Sequence, residues 1–250
     1  MIASELNNGA SSRKLIVAWC CIIVASVCGA CGGSSDSDAR AADGDAIVYA
    51  ALGASDVVGV GATPLTNGYV YLIQQSLEAQ IAKKVSLENL GIPAAQIDTI
   101  RDIEVEILKR SAQPDLITLS TGANDLIAGD AVASFEKGFR EVLVELRALA
   151  PSGVIAVSTL PDLTKLPRFQ DDPDRDVTEE RVQAFNAAIA RQASAFNVQL
   201  VDLYSVPLQD SFVSEIDGFH PSDAGHQAMA NAFLGVITPY LQGMGTLPPS

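Results

Sequence analysis

Ala46-Ile47-Val48-Tyr49-Ala50-Ala51-Leu52 runs straight into Gly53-Ala54-Ser55-Asp56. An unbroken apolar run of this length, ended by glycine, is the pattern of a strand buried on both faces, as in a parallel sheet between helices. Downstream the pattern alternates. Val70, Ile73, Leu77 and Ile81 recur at helical spacing, and Val85 to Leu90 reads as a second strand. Ile97, Ile100, Glu104 and Ile107 mark the next helical face, and Leu116 to Leu119 a third strand. Val132, Phe135, Phe139, Val142, Leu146 and Leu149 define a long amphipathic helix before a fourth strand, Val154 to Leu160. Val182, Phe185, Ile189 and Phe196 form a helical stripe, Val198 to Leu203 a fifth strand, and a last helix is predicted from Ser222, its N-cap, to Leu241. Strand and helix alternate with short connections. The expected fold is therefore α/β, a three-layer α/β/α sandwich around a five-stranded parallel sheet. Right-handed crossovers favour the flavodoxin-like order 2-1-3-4-5.

In such a sheet ligands bind beyond the carboxyl ends of the strands. Those positions hold Ser55, Gly91 in Asn89-Leu90-Gly91, Asn124 in Gly122-Ala123-Asn124-Asp125, and Asp217-Gly218-Phe219-His220-Pro221. A serine hydroxyl becomes a nucleophile when an adjacent base takes its proton. Of the two histidines, His220 has a carboxylate three residues before it, so Asp217 is placed to orient the ring and stabilise the imidazolium. The Ser55 and Gly91 backbone N–H groups and the Asn124 amide are the candidate oxyanion donors. If His220 is the base, activity is expected to fall in acid, around the ordinary imidazole pKa near ~6.5.

These blocks, in this order, resemble an SGNH hydrolase of the GDSL esterase/lipase group over about Ala46 to Gln242. Ser55 matches the nucleophile of the first block and Gly91 the glycine of the second. Asn124 matches the asparagine of the third, and Asp217 with His220 the last block. The resemblance implies cofactor-free ester hydrolysis through an acyl-serine. One position departs from it: the first block usually reads Gly-Asp-Ser, whereas Ala54 precedes Ser55 here and an acid, Asp56, follows it. Deacetylation of envelope glycans uses the same residues, and a ligand-binding surface protein of the same fold is the non-enzymatic alternative.

Other features receive plainer readings. His226 is a first-turn helix residue with no chemical role, Gly59-Val60-Gly61 a flexible loop beside the nucleophile, and Asp202 a structural residue at the sheet edge. Asp125 competes with Asn124 as a cap. Pro161 to Asp176 is one long irregular segment, and its acidic run Asp171-Asp172-Pro173-Asp174 is a solvated loop, lacking the glycine and distal glutamate of a calcium loop. Two histidines and no cysteine after residue 31 make a transition-metal site a poor fit, so no metal or cofactor is expected. Acids outnumber bases 30 to 16, for a net charge of -14. That excess argues against nucleic acid and against polybasic docking on lipid.

The N-terminus carries a different message. Arg13 and Lys14 precede an apolar run from Leu15 to Val27 and the small residues Gly29 and Ala30, the order of a secretory signal. The run is shorter than the roughly 20 residues needed to span a bilayer. Cys28-Gly29-Ala30-Cys31 resembles the lipobox of bacterial lipoproteins, with cysteine where leucine is usual. That resemblance implies a lipid on Cys31 and an exported protein tethered to the cell envelope, whose partners are a membrane and a small-molecule or lipid ester. Residues 1–30 are then a lipoprotein signal peptide, 31–45 a flexible tether rich in glycine and serine, and 46–243 the hydrolase domain.

Overall fold

The computed structural model describes residues 46–81, 84–243 and 245–246. The expected signal peptide, Cys31 and the tether lie outside the described residues. Five parallel strands, β1 Ile47–Gly53, β2 Val85–Asn89, β3 Leu116–Ser120, β4 Val154–Ser158 and β5 Gln199–Val201, form one sheet in the order β2-β1-β3-β4-β5. This is the doubly wound order predicted from the crossovers.

The helices are α1 Ser55–Val58, α2 Tyr69–Gln80, α3 Ile97–Thr99, α4 Val105–Leu108, α5 Ala123–Ala128, α6 Val132–Leu149, α7 Pro167–Asp171, α8 Glu179–Ala195 and α9 Asp223–Gly243. Successive residues of β1 serve opposite cores because strand side chains alternate. Ala50 and Leu52 join Ile117, Leu119, Ile155 and Val157 under α6 and α8. Tyr49 and Ala51 join Leu116, Val154 and Val201 under α2 and α9. Both sheet faces are thus covered by helices, which explains why β1 and β3 carry almost no polar side chains. Thr118, in the middle of β3, is buried with its Oγ1 2.9 Å from the Tyr49 hydroxyl.

Three sequence expectations change. The stripe predicted through Ile107 breaks because a π-helical turn, Ile100–Glu104, separates α3 from α4. The wider turn rotates the following residues, so Val105 and Leu108 enter the core while Ile103 and Ile107 are exposed. The fourth and fifth strands are also shorter than predicted. Past Ser158 the chain leaves the sheet: the Leu160 N–H donates to Asn186 Oδ1 at 2.7 Å and its carbonyl accepts from Asn186 Nδ2 at 3.0 Å. The segment after Leu160 is less irregular than expected, holding a 3-10 turn at Leu163–Lys165 and the short helix α7. The Ser222 cap is present, with its Oγ accepting the Gly225 N–H at 3.2 Å. No helix among the described residues is long and apolar enough to cross a membrane.

Candidate active site

Ser55 opens α1 immediately after β1. The turn into it needs glycine at position 53, where φ is +140° and a Cβ would stand 2.1 Å from the Ser120 carbonyl oxygen. Ser55 Oγ lies 2.9 Å from His220 Nε2, and His220 Nδ1 lies 2.5 Å from Asp217 Oδ2. The carboxylate fixes the tautomer: Nδ1 carries the proton and donates to it, which leaves Nε2 free to accept from the serine. Asp217 is itself held, its Oδ1 accepting the Phe219 and His220 N–H groups at 3.0 Å each. Partial burial raises the Asp217 pKa, but the hydrogen bonds from the His220 ring and these two amides outweigh it. The carboxyl is lowered to about 2.

The loop carrying both residues is pinned to the body. Ser214 N–H donates to the His220 carbonyl at 2.8 Å, and Val213 bridges Pro221. From the nucleophile side, Gly61 fits against this loop at φ +96°, where a Cβ would meet the Pro221 carbonyl oxygen at 2.1 Å. Gly61 is therefore packed against the histidine loop and Gly59 against Leu65 and Gly68, tighter roles than the flexible loop expected. His226 has no place in the relay. It is fully buried at the start of α9, its Nε2 donating to the Val60 carbonyl at 3.1 Å and its Nδ1 accepting the Tyr69 N–H at 3.3 Å. Burial lowers its pKa. It braces the same loop as a neutral ring.

Asn124 sits in the first turn of α5, beside Ser55 and His220 on the wall of one cavity. One Nδ2 hydrogen donates to the Ala95 carbonyl at 2.9 Å, which sets the plane of the amide. Asp125 caps a different helix from its own, with Oδ1 accepting the Ile97 N–H at 2.9 Å at the start of α3.

Gly91 departs from its expected part. Its N–H donates to Asn89 Oδ1 at 3.1 Å. It packs on the far side of the nucleophile turn, where a Cβ would be 2.8 Å from Val57 Cβ and 3.1 Å from the Ala54 carbonyl oxygen. It is a close-approach glycine, and its amide is already engaged. The neighbouring turn holds a feature the sequence did not signal: Ala94 adopts φ +63°, a left-handed conformation uncommon outside glycine. Its N–H has no partner among the described residues, and the adjacent Ala95 carbonyl is the one that holds Asn124. Alanine at such a position gives no signal in composition or periodicity, so only the backbone shows it.

Beside the serine, a cavity of about 140 Å³ runs beneath the segments that follow β4 and β5. Leu160, Leu163, Leu203, Leu208, Phe212 and Met229 are among the apolar residues of its wall. Phe219 meets the His220 ring edge-on, with centroids 5.0 Å apart. The arrangement offers a hydroxyl with a base and an oriented carboxylate at one end, and an apolar slot leading away from it.

Known proteins resemble this chain in sequence and in fold. The model of the GDSL-like lipase/acylhydrolase family matches residues 51–228. The spore germination lipase LipC of Bacillus licheniformis is 25% identical over 201 residues, covering 73% of this chain and 92% of that protein. Among solved structures, a lipase/acylhydrolase from Enterococcus faecalis superimposes with a TM-score of 0.63 at 21% identity, covering 82% of this chain and 98% of the other. A family 3 carbohydrate esterase of Clostridium thermocellum gives 0.64 at 17% identity, over 80% and 98%. These structures share the fold. With the family model spanning every strand from the end of β1 to the first turns of α9, this chain belongs to the GDSL-like lipase/acylhydrolase family, whose members are esterases and lipases of the SGNH type.

Proposed function

We propose that the protein hydrolyses carboxylic esters of apolar acids through an acyl-serine intermediate. The observation that carries the reading is the unbroken relay from Ser55 Oγ to His220 at 2.9 Å and from His220 to Asp217 at 2.5 Å. Ser55 attacks the ester carbonyl as His220 Nε2 takes its proton. The tetrahedral intermediate collapses, and the imidazolium returns that proton to the leaving alcohol. Water, deprotonated by His220, then attacks the acyl-serine and releases the acid. Asp217, with its pKa lowered to about 2, stays ionised throughout and stabilises the imidazolium.

The oxyanion donors in this reading are the Ser55 N–H, the remaining Asn124 amide hydrogen and the unpaired Ala94 N–H, which replaces the engaged Gly91 amide. The acyl chain occupies the leucine-rich cavity. A wall of aliphatic side chains suits a hydrocarbon chain and offers little to the hydroxyls of a sugar, so the lipase-like reading is preferred to glycan deacetylation. The likeness to the germination lipase is consistent with it. The lipobox-like Cys28-Gly29-Ala30-Cys31 supports export and lipid anchoring in the cell envelope, the Cys31 modification placing the site at a lipid source.

A chromogenic ester assay tests the reaction. Wild type turns over, and Ser55→Ala and His220→Ala, folded by circular dichroism, lose at least about 10³-fold in kcat. Equal rates in all three proteins discard the reading. For the anchor, Cys31→Ser moves the protein from the membrane fraction to the soluble one; an unchanged distribution contradicts it.

A further inference from the structure

The residue before the nucleophile is alanine, and Ala54 caps α1 with no side-chain hydrogen bond. Something else must hold the turn that aims Ser55. The residue after the nucleophile is placed to do this. Asp56 Oδ2 accepts the Ser120 hydroxyl at 2.6 Å. Ser120 is the last residue of β3 and pairs in register with Gly53, the last residue of β1. Four residues beyond Ser120 is Asn124. The Asp56–Ser120 bond therefore closes a short bracket between two loops that leave adjacent strands, one carrying the nucleophile and the other the amide donor.

The remaining contacts tighten the same bracket. Gly53 N–H donates to Glu104 Oε2 at 2.8 Å, and the Val57 carbonyl accepts from Asn89 Nδ2 at 2.8 Å. Within this ring of contacts, the Asp56–Ser120 bond is the side-chain pair that joins the nucleophile turn to the strand leading to Asn124.

We propose that Asp56 is a positioning residue for the ester-cleaving reaction, which acts through its hydrogen bond to Ser120 to fix the nucleophile turn against the strand end that leads to Asn124. In this chain the acid that follows Ser55 does what no side chain at Ala54 can. The proposal rests on Ser55 being the nucleophile and Asn124 an oxyanion donor. Its consequence lies in the transition state. Donors must stand 2.7–3.1 Å from the developing oxyanion, so a small slip between the two loops lowers kcat while ground-state binding in the apolar slot persists.

The test is a double-mutant cycle on the full-length protein, measuring kcat and KM for a short chromogenic ester. Asp56→Ala and Ser120→Ala each lower kcat by roughly tenfold to a hundredfold with KM little changed. The double variant is no slower than the slower single one, because both remove the same bond. Asp56→Asn keeps an oxygen that accepts from Ser120 and retains most of the activity. Wild-type kcat in either single alanine variant overturns the proposal. So do losses that multiply in the double variant, and so does an Asp56→Asn variant as slow as Asp56→Ala. Ser120→Ala deletes one half-buried hydroxyl and decides the matter alone if Asp56→Ala fails to fold. Ser55→Ala run in parallel separates the two failures. If it turns over like wild type, the nucleophile assignment falls; if it is inactive while the Asp56 and Ser120 variants are unimpaired, this inference alone falls.

Discussion

His220 Nε2 stands 2.9 Å from Ser55 Oγ although 165 positions separate the two residues in the chain. The contact exists because β1 lies inside the sheet, between β2 and β3, and the loop before α9 folds back over its carboxyl end. Gly61 lies against the His220–Pro221 backbone, so nucleophile and base are set by the packing of two loops.

The relay depends on a charged Asp217. Its carboxyl is lowered to about 2, so it is ionised across any practical assay range. Asp217→Asn should lower kcat by about 10²–10⁴-fold, since the imidazolium formed in the transition state loses its counter-charge. Steady-state kinetics of wild type and variant measure the loss. An unchanged kcat contradicts the assignment of Asp217.

Asn124 is predicted to act on the transition state rather than on binding. Asn124→Ala should cost about 10²–10³-fold in kcat with KM nearly constant. Steady-state kinetics decide it, and a rise in KM alone would remove Asn124 from the oxyanion site.

Much of this was legible in the amino-acid order. The unbroken apolar runs of β1 and β3 fixed a buried parallel sheet, and the polar residues at strand ends marked the rim where Ser55, Asn124, Asp217 and His220 lie. Four things were not legible. The π-turn at Ile100–Glu104 leaves no mark in a periodicity that reads as regular helix, so the pattern points Ile107 inward and gives no sign of Val105. A glycine at position 91 suits backbone approach to a substrate, whereas it lets backbone approach Val57 and Ala54. The left-handed conformation of Ala94 is a property of the backbone, which composition does not carry. The anchoring of Asp56 on Ser120 needed the register of β1 against β3, which pattern reading does not supply.

Glu104 gives a stability prediction. It is fully buried, and burial raises its pKa to about 8, against the opposing effect of N–H groups from Gly53 and Ile92. The folded state thus holds a proton that the unfolded chain releases near the ordinary glutamate value. Its contribution to stability is fully present below about pH 4.3 and is lost as pH rises through about 8, at up to about 1.4 kcal/mol per unit of pH. Thermal melts of Glu104→Gln, which keeps an acceptor for Gly53, should show a flatter decline between these limits than wild type. Parallel curves would contradict a protonated Glu104.

Acyl-chain preference should follow the cavity. Each methylene buried in the apolar slot favours the longer ester by about 0.8 kcal/mol, roughly fourfold in kcat/KM, until the slot is full. Met229→Trp fills part of the wall, so octanoate should lose far more than acetate. Kinetics over an ester series of acetate, butyrate and octanoate test this. Equal losses for all three would place the acyl chain elsewhere.

The most direct test of the central claim is to trap the covalent intermediate. A pre-steady-state burst with a chromogenic ester, or labelling with an alkylphosphonate, followed by peptide mapping, should put a single acyl or phosphonyl group on Ser55 and none on the Ser55→Ala protein. Turnover without a burst and without label on Ser55, or label on another serine, would contradict it.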